Sequence, residues 1–184
     1  MNLLVLLGVQ GSGKGTQAKL LAEKLNYQIF ETGAECRKIA KLDTPLGREI
    51  KETINSGKLV SSVHIRKLIK EFLSKNTEPS IIFDGFPRNF EQLPTFLDII
   101  NEYNLNTKAI VFELSKEKSI ERLLKRAEIE NREDDTQEII EKRISIFYND
   151  TLPVIEKIKE NYEVIEINAD QSIENIHEEL IKQL

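Results

Sequence analysis

Residues 2–16 read Asn-Leu-Leu-Val-Leu-Leu-Gly-Val-Gln-Gly-Ser-Gly-Lys-Gly-Thr. The apolar run before Gly8 predicts a buried strand, and the amphipathic pattern that begins at Lys14 predicts a helix. Between them, glycines permit a tight turn that points backbone N–H groups inward, while the helix N-terminus and Lys14 add positive charge. This stretch predicts a loop that binds the phosphates of a nucleotide. Its candidate contacts are Gly11, Ser12, Gly13, Lys14, Gly15 and Thr16.

The loop departs from the general P-loop pattern at one place. That pattern has a hydroxyl residue directly after the lysine, whereas here Gly15 stands there and Thr16 supplies the hydroxyl one residue later. A glycine-rich turn without a ligand is the alternative interpretation. The buried type of strand that precedes the loop favours phosphate binding.

Beyond this loop, short apolar runs alternate with helical patterns, which predicts an α/β fold with a parallel sheet covered by helices on both faces. Ligands of such folds bind at the carboxyl ends of the strands. The predicted strands are Leu3–Leu7, Gln28–Phe30, Ser80–Asp84, Lys108–Leu114 and Tyr162–Ile167. Helical patterns begin at Lys14, Glu35, Leu46, Val63, Phe90, Lys116, Thr136 and Ser172.

Composition limits the class of protein. The 184 residues suit one domain, and the net charge of −5 argues against a nucleic-acid surface. The single cysteine, Cys36, excludes an internal disulfide framework and suits a reducing compartment. No apolar run approaches the roughly 20 residues that span a membrane, so we expect a soluble, cytoplasmic chain.

A second informative block, Asp84-Gly85-Phe86-Pro87-Arg88, closes the third predicted strand at the edge of the sheet where the phosphate loop also lies. The carboxylate of Asp84 can hold Mg²⁺ or its waters beside the phosphates. Arg88 can reach a phosphoryl group with its planar guanidinium.

Together, the two blocks are similar to those of the adenylate kinase family of nucleoside monophosphate kinases, and the resemblance extends over the whole chain. The family's phosphate loop ends in Gly-Lys-Gly-Thr, as residues 13–16 do here. The resemblance implies a P-loop kinase domain with a five-stranded parallel sheet in a three-layer αβα arrangement. It also implies a helical insert at 32–60 that binds the nucleoside monophosphate, a short lid at 127–136, MgATP, AMP and ADP as ligands, and a monomer.

The resemblance also implies roles for individual residues. The residues expected to contact the transferred phosphoryl group are Lys14, Arg88, Arg122, Arg132 and Arg143. ATP binding involves the loop residues together with Arg126 and Gln171. AMP binding involves Thr32, Arg37, Lys58, Leu59, Val60, Gly85, Phe86, Pro87, Arg88, Gln92, Arg132 and Arg143. Arginine suits these roles because it stays charged and binds two oxygens at once, although surface arginines in solvent are the alternative.

The resemblance favours AMP as the acceptor because Gln92 stands where the family's pyrimidine branch has asparagine. A glutamine amide matches the donor and acceptor of adenine. Two alternatives remain open: a UMP/CMP kinase, and a non-catalytic nucleotide-binding regulator, since Ala34 stands where the family usually has aspartate. Gln10 likewise replaces the usual proline. Cys36, His64 and His177 are too few for a structural zinc site.

Overall fold

The computed structural model describes residues 1–75, 80–130 and 136–184. Its centre is a sheet of five parallel strands in the order β2-β3-β1-β4-β5. The strands are β1 (Asn2–Gly8), β2 (Gln28–Glu31), β3 (Ser80–Asp84), β4 (Asn106–Glu113) and β5 (Glu163–Asn168). The predicted α/β fold class with a parallel sheet is therefore confirmed, and strand positions agree with the predictions to within two residues.

Alternate residues of β1 supply two separate hydrophobic cores. Leu3 and Val5 belong to the core that includes residues of the helices at Ser62–Lys75, Gln92–Glu102 and Leu152–Lys159. Leu4 and Leu6 belong to a second core, which includes residues of the helices at Lys14–Leu25 and Ile173–Gln183. Because successive side chains of a strand point to opposite faces, this division places helices on both sides of the sheet. The result is a three-layer arrangement.

The helices within the described residues follow the strands in chain order. They are α1 (Lys14–Leu25), α2 (Thr32–Ala40), α3 (Pro45–Asn55), α4 (Ser62–Lys75), α5 (Gln92–Glu102), α6 (Lys116–Glu130), α7 (Gln137–Ile146), α8 (Leu152–Lys159) and α9 (Ile173–Gln183). A π-helical turn, Phe147–Thr151, joins α7 to α8 without a break. None of the helices in the part of the chain described is both long and apolar enough to cross a bilayer.

Several predicted helix starts shift by one to three residues. The helix predicted from Glu35 begins at Thr32, and the one predicted from Phe90 begins at Gln92. Helix α8 was not predicted at all. Its Pro153 lies in the first turn of α8, directly after the π-helical turn, and the helix continues through it.

The two segments predicted to cover the site contribute no described strand to the sheet. Residues 32–60 form α2, α3 and an irregular stretch that leads to α4. Helix α2 follows β2 directly, and α3 begins after Thr44, whose hydroxyl accepts a hydrogen bond from the N–H of Gly47. In the segment 127–136, residues 127–130 are the last turn of α6, and residues 131–135 lie outside the described part of the chain.

Candidate active site

A cavity of about 400 Å³ lies at the carboxyl ends of β1, β2 and β3. One wall is the loop between β1 and α1, and the opposite wall comes from α2 and residues 57–60. Most residues predicted for the site line it: Gly11, Gly13, Lys14, Gly15, Thr16, Thr32, Arg37, Lys58, Leu59, Val60, Asp84, Gly85, Arg88, Gln92, Arg122, Arg126 and Arg143.

The loop after β1 turns back on itself around the side chain of Lys14. Gly11 and Gly13 have positive φ angles of +82° and +89°, a conformation that favours glycine. The ammonium of Lys14 donates hydrogen bonds to the carbonyls of Gly8 at 2.9 Å and Val9 at 2.8 Å. From α6, the buried hydroxyl of Ser119 donates to the carbonyl of Gln10 at 2.5 Å, which ties the loop to that helix.

Burial perturbs the two charged groups nearest this loop. It lowers the pKa of Lys14 to about 8, an effect that the nearby Asp84 carboxylate opposes. Burial also raises the pKa of Asp84, although Lys14 and Arg88 lower it in part. Both groups are therefore short of solvation in the cavity. An arriving anion would stabilise the ammonium, and a cation would stabilise the carboxylate.

The turn after β3 holds Arg88 in place. Gly85 has a φ of +77°, and its carbonyl accepts a 2.6 Å hydrogen bond from Nε of Arg88. The carbonyl of Arg88 accepts another at 2.7 Å from the hydroxyl of Thr151, in the π-helical turn. Burial lowers the pKa of Arg88, and Asp84 opposes this effect. The guanidinium is thus anchored through one nitrogen at the floor of the cavity.

On the opposite wall, α2 presents Thr32 and Arg37. The hydroxyl of Thr32 is buried and has no hydrogen-bond partner in the part of the chain that the structure describes. Arg37 donates to the carboxylate of Glu31 at 3.3 Å. Cys36 lies between them in sequence, and burial raises the pKa of its thiol to about 11, so the thiol is protonated at neutral pH.

Gln92 is 3% exposed, which excludes the alternative of an ordinary exposed helical residue. Its Oε1 accepts a 2.8 Å hydrogen bond from the N–H of Arg88, and its Nε2 donates to the carbonyl of Val60 at 3.0 Å. The amide group therefore connects the turn after β3 to the strip at residues 58–60, which follows α3. Among the described residues, one N–H of the amide has no further hydrogen-bond partner.

Helices α6 and α7 bring three predicted arginines to the cavity, namely Arg122, Arg126 and Arg143. In this structure Arg122 contacts the loop after β5, donating to the carbonyl of Ala169 at 2.9 Å and to the carboxylate of Asp170 at 3.4 Å. Arg132, also predicted for the site, lies outside the described residues.

Four predicted residues do not line this cavity. Phe86 is wholly buried and packs edge-to-face against Phe83 and Phe96, so its side chain belongs to the core. Pro87, which follows a cis peptide bond, lines a smaller neighbouring cavity, and the buried hydroxyl of Ser12 accepts a hydrogen bond from the ammonium of Lys14 at 3.2 Å. The amide of Gln171 donates to Asn168 and Glu179 instead.

Sequence reasoning also missed several lining residues. Among these are Gln10, Lys19, Glu31, Cys36, Ile54, Ile65 and Ile146. Glu31 directly follows an apolar strand, and by the rule that ligands gather at strand ends it could have been found. The isoleucines carry no such signal because apolar residues on amphipathic helices ordinarily face a core.

The cavity concentrates positive charge in an acidic chain. Among the described residues, eight basic side chains line it against two acidic ones, Glu31 and Asp84, although the net charge of the whole chain is −5. Such a field attracts polyanions. The basic residues are Lys14, Lys19, Arg37, Lys58, Arg88, Arg122, Arg126 and Arg143.

A phosphate-binding loop on a parallel sheet, facing several arginines across one cavity, defines a P-loop phosphotransferase. The family model for adenylate kinase matches residues 6–163. An adenylate kinase of Micrococcus luteus is 35% identical, and the match covers 99% of this chain and 90% of that one. Adenylate kinases of Prochlorococcus marinus strain AS9601 and Nostoc sp. strain PCC 7120 are each 34% identical, over 98% of this chain and 97% of theirs. The chain belongs to the adenylate kinase family, and both the predicted family and the predicted kinase activity are confirmed.

Proposed function

We propose that this chain catalyses reversible phosphoryl transfer from MgATP to AMP, giving two ADP. The observation that carries the proposal is the accumulation of eight basic side chains around one cavity in an acidic chain. Two nucleotides whose phosphates meet end to end would bring several negative charges to that place. Transfer between them needs positive groups around the moving phosphoryl more than it needs a nucleophilic side chain.

The loop and Lys14 are proposed to bind the phosphates of ATP. In the empty site the ammonium of Lys14 is bonded to carbonyls of the loop itself, which keeps it beside the N-terminus of α1. Phosphate oxygens would replace those carbonyls as better acceptors because they carry charge. Arg126, from α6, would neutralise charge on the same side.

Arg88 is proposed to stabilise the transferred phosphoryl group, since its Nε is already fixed on the carbonyl of Gly85 and the residue lines the cavity. Arg143, and Arg132 from outside the described residues, would add charge from α7 and the segment before it. Arg122 contacts Asp170 and Ala169 in the empty site. It would have to exchange partners to reach a phosphate. These groups act by position and charge, and they lower the barrier as charge spreads over the phosphoryl oxygens.

The residues near the loop fit a magnesium ion bound with ATP. Asp84 offers a buried carboxylate whose Oδ2 would lie 3.4 Å from a Cβ built on Gly15, so it borders the loop directly. Thr16 offers a hydroxyl on the same side. Oxygen donors of this kind are the ligands that Mg²⁺ prefers. Bound there, directly or through water, the ion would neutralise phosphate charge.

The wall formed by α2 and the strip at 58–60 is proposed as the acceptor site. The buried hydroxyl of Thr32 lacks a partner, and such an atom is costly unless a ligand completes its hydrogen bond. The free N–H of Gln92 points to recognition of an acceptor base. We propose AMP as that acceptor, and closure of segments 32–60 and 127–136 as the step that excludes water, a competing acceptor.

An assay of ADP formation tests the proposal. Purified protein should convert ATP plus AMP to ADP far faster than it phosphorylates CMP or UMP. Preferred use of CMP would instead indicate a UMP/CMP kinase. Nucleotide binding without any turnover would favour a non-catalytic regulator.

The remaining parts of the proposal concern the state of the protein. We propose a cytoplasmic monomer that acts on free nucleotides and uses no structural zinc. The single, buried Cys36 suits a reducing compartment. Light scattering with and without nucleotides, together with metal analysis of the purified chain, would test the monomer and the absence of zinc.

A further inference from the structure

Glu31 is one of only two acidic side chains among the described residues that line the cavity. It ends β2 and lies in register beside Asp84, which ends β3. Its carboxylate contacts Arg37 at 3.3 Å, and the two side chains are 34% and 31% exposed. A negative charge at this place is unexpected in a cavity that collects polyanions.

The backbone around Glu31 makes the contact specific. Glu31 is the N-cap residue of α2, yet its side chain makes no capping hydrogen bond to the helix. Its carboxylate is bonded to Arg37, one and a half turns further along the chain, instead of to the first N–H groups of α2. The next residue, Thr32, carries the buried hydroxyl without a partner. A guanidinium and an unbonded hydroxyl thus flank a carboxylate, beside the positive end of a helix.

A phosphate group could take the place of the Glu31 carboxylate on Arg37 in this arrangement. A carboxylate and a phosphate present similar oxygens to a guanidinium, and the phosphate of a nucleoside monophosphate carries more charge. A partly exposed ion pair such as Glu31–Arg37 is weak, so a dianion can replace the carboxylate on Arg37. After the exchange, the charge of Glu31 would remain close to the bound phosphate and repel it.

We propose, on the basis of the function proposed above, that Glu31 competes with the acceptor's phosphate for Arg37. The carboxylate holds Arg37 while the acceptor site is empty, and it weakens the binding of the nucleoside monophosphate. Glu31 is therefore a positioning residue that acts through Arg37. It sets the affinity for the acceptor nucleotide without taking part in the transfer.

Glu31→Gln tests the proposal because it keeps the shape of the side chain and removes its charge. We expect the dissociation constant and the KM for AMP to fall about tenfold, which corresponds to about 1.4 kcal/mol. The KM for ATP should stay within about twofold of the wild type. Titration calorimetry with AMP alone measures the affinity without turnover, and thermal unfolding verifies that the variant is folded.

Glu35→Gln is the matched control. It removes one negative charge from the same helix, but the Glu35 carboxylate accepts from Lys38 at 2.6 Å and does not line the cavity. We expect its AMP affinity to stay within about twofold of the wild type. In an Arg37→Gln background, the gain from Glu31→Gln should shrink to less than about threefold.

Two results would overturn the proposal while leaving the kinase assignment intact. One is an unchanged AMP affinity in an active Glu31→Gln variant, and the other is a weakened affinity, which would make the pair a support for phosphate binding. Failure of the assignment itself has a different signature, because the wild-type chain would then neither bind AMP nor form ADP.

Discussion

Replacing Lys14 by methionine should abolish phosphoryl transfer and leave the fold intact. The ammonium is desolvated in the empty cavity, where burial lowers its pKa from 10.5 to about 8. At about 1.4 kcal/mol per pKa unit, holding the charge there costs about 3 kcal/mol at neutral pH. Methionine removes that cost. It also removes three hydrogen bonds to the loop, each worth about 1 kcal/mol.

Because these two contributions nearly cancel, the free energy of unfolding at pH 7 should change by less than about 2 kcal/mol in Lys14→Met. Loss of a preorganised charge at the transferred phosphoryl should lower kcat by at least about 100-fold. The assays are ADP formation at saturating nucleotide and denaturant unfolding of the empty protein. Lys24→Met, in the exposed last turn of α1, is the control for loss of one positive charge from the same helix.

The pH dependence gives a second, independent check. The folded pKa of Lys14 lies below its unfolded value, so the penalty is complete below pH 8 and disappears as the pH rises from about 8 to 10.5. Across this window the wild type should gain up to about 3 kcal/mol of stability relative to Lys14→Met. A difference that stays flat with pH, or a variant that turns over at the wild-type rate, would refute the reasoning.

Three further substitutions separate the fold from the site. Thr32→Val removes a buried hydroxyl without a described partner, so the protein without nucleotide should be equally stable or about 1 kcal/mol more stable. The KM for AMP should rise. A destabilised variant with an unchanged KM would contradict this prediction. Gly85→Ala should lower kcat at least about 100-fold, because its Cβ would overlap the Arg88 guanidinium, and unchanged kcat would show that this position of Arg88 is dispensable. Ser119→Ala should raise the KM for ATP and lower the unfolding free energy by about 1–3 kcal/mol, because the Gln10 carbonyl loses its donor; unfolding and ATP titration measure both effects.

Local sequence patterns predicted those parts of the fold that depend on neighbouring residues. The run 3–7 predicted β1 because a strand buried on both faces is continuously apolar, and the glycines after it predicted the turn at the phosphate loop. No helix start was predicted between Thr136 and Ser172, whereas α8 continues from α7 through the π-helical turn at Phe147–Thr151.

Contacts between distant segments were less predictable. Arg122 and Arg126, both predicted for the site, line the cavity, but nothing in the sequence of α6 indicates that Arg122 contacts Asp170, 48 residues later. Likewise, the hydrogen bond from the side-chain amide of Gln92 to the carbonyl of Val60 depends on how two distant segments pack. Glu31 illustrates the limit most clearly. Its place at a strand end indicates only that it could lie near the site, and its contact with Arg37 follows from the fold.

The π-helical turn at Phe147–Thr151 changes the rotational phase of α8 relative to α7 within one continuous helix. Before it, Ile140 and Ile144 point into the core, and after it Ile155 and Ile158 do so as well. Thr151 uses the widened turn to reach the carbonyl of Arg88. Deleting one residue there would twist α8 by about 100° against α7. The continuous helix would then lose either its packing in the core or the hydrogen bond from Thr151 to the carbonyl of Arg88. The π-helical turn preserves both.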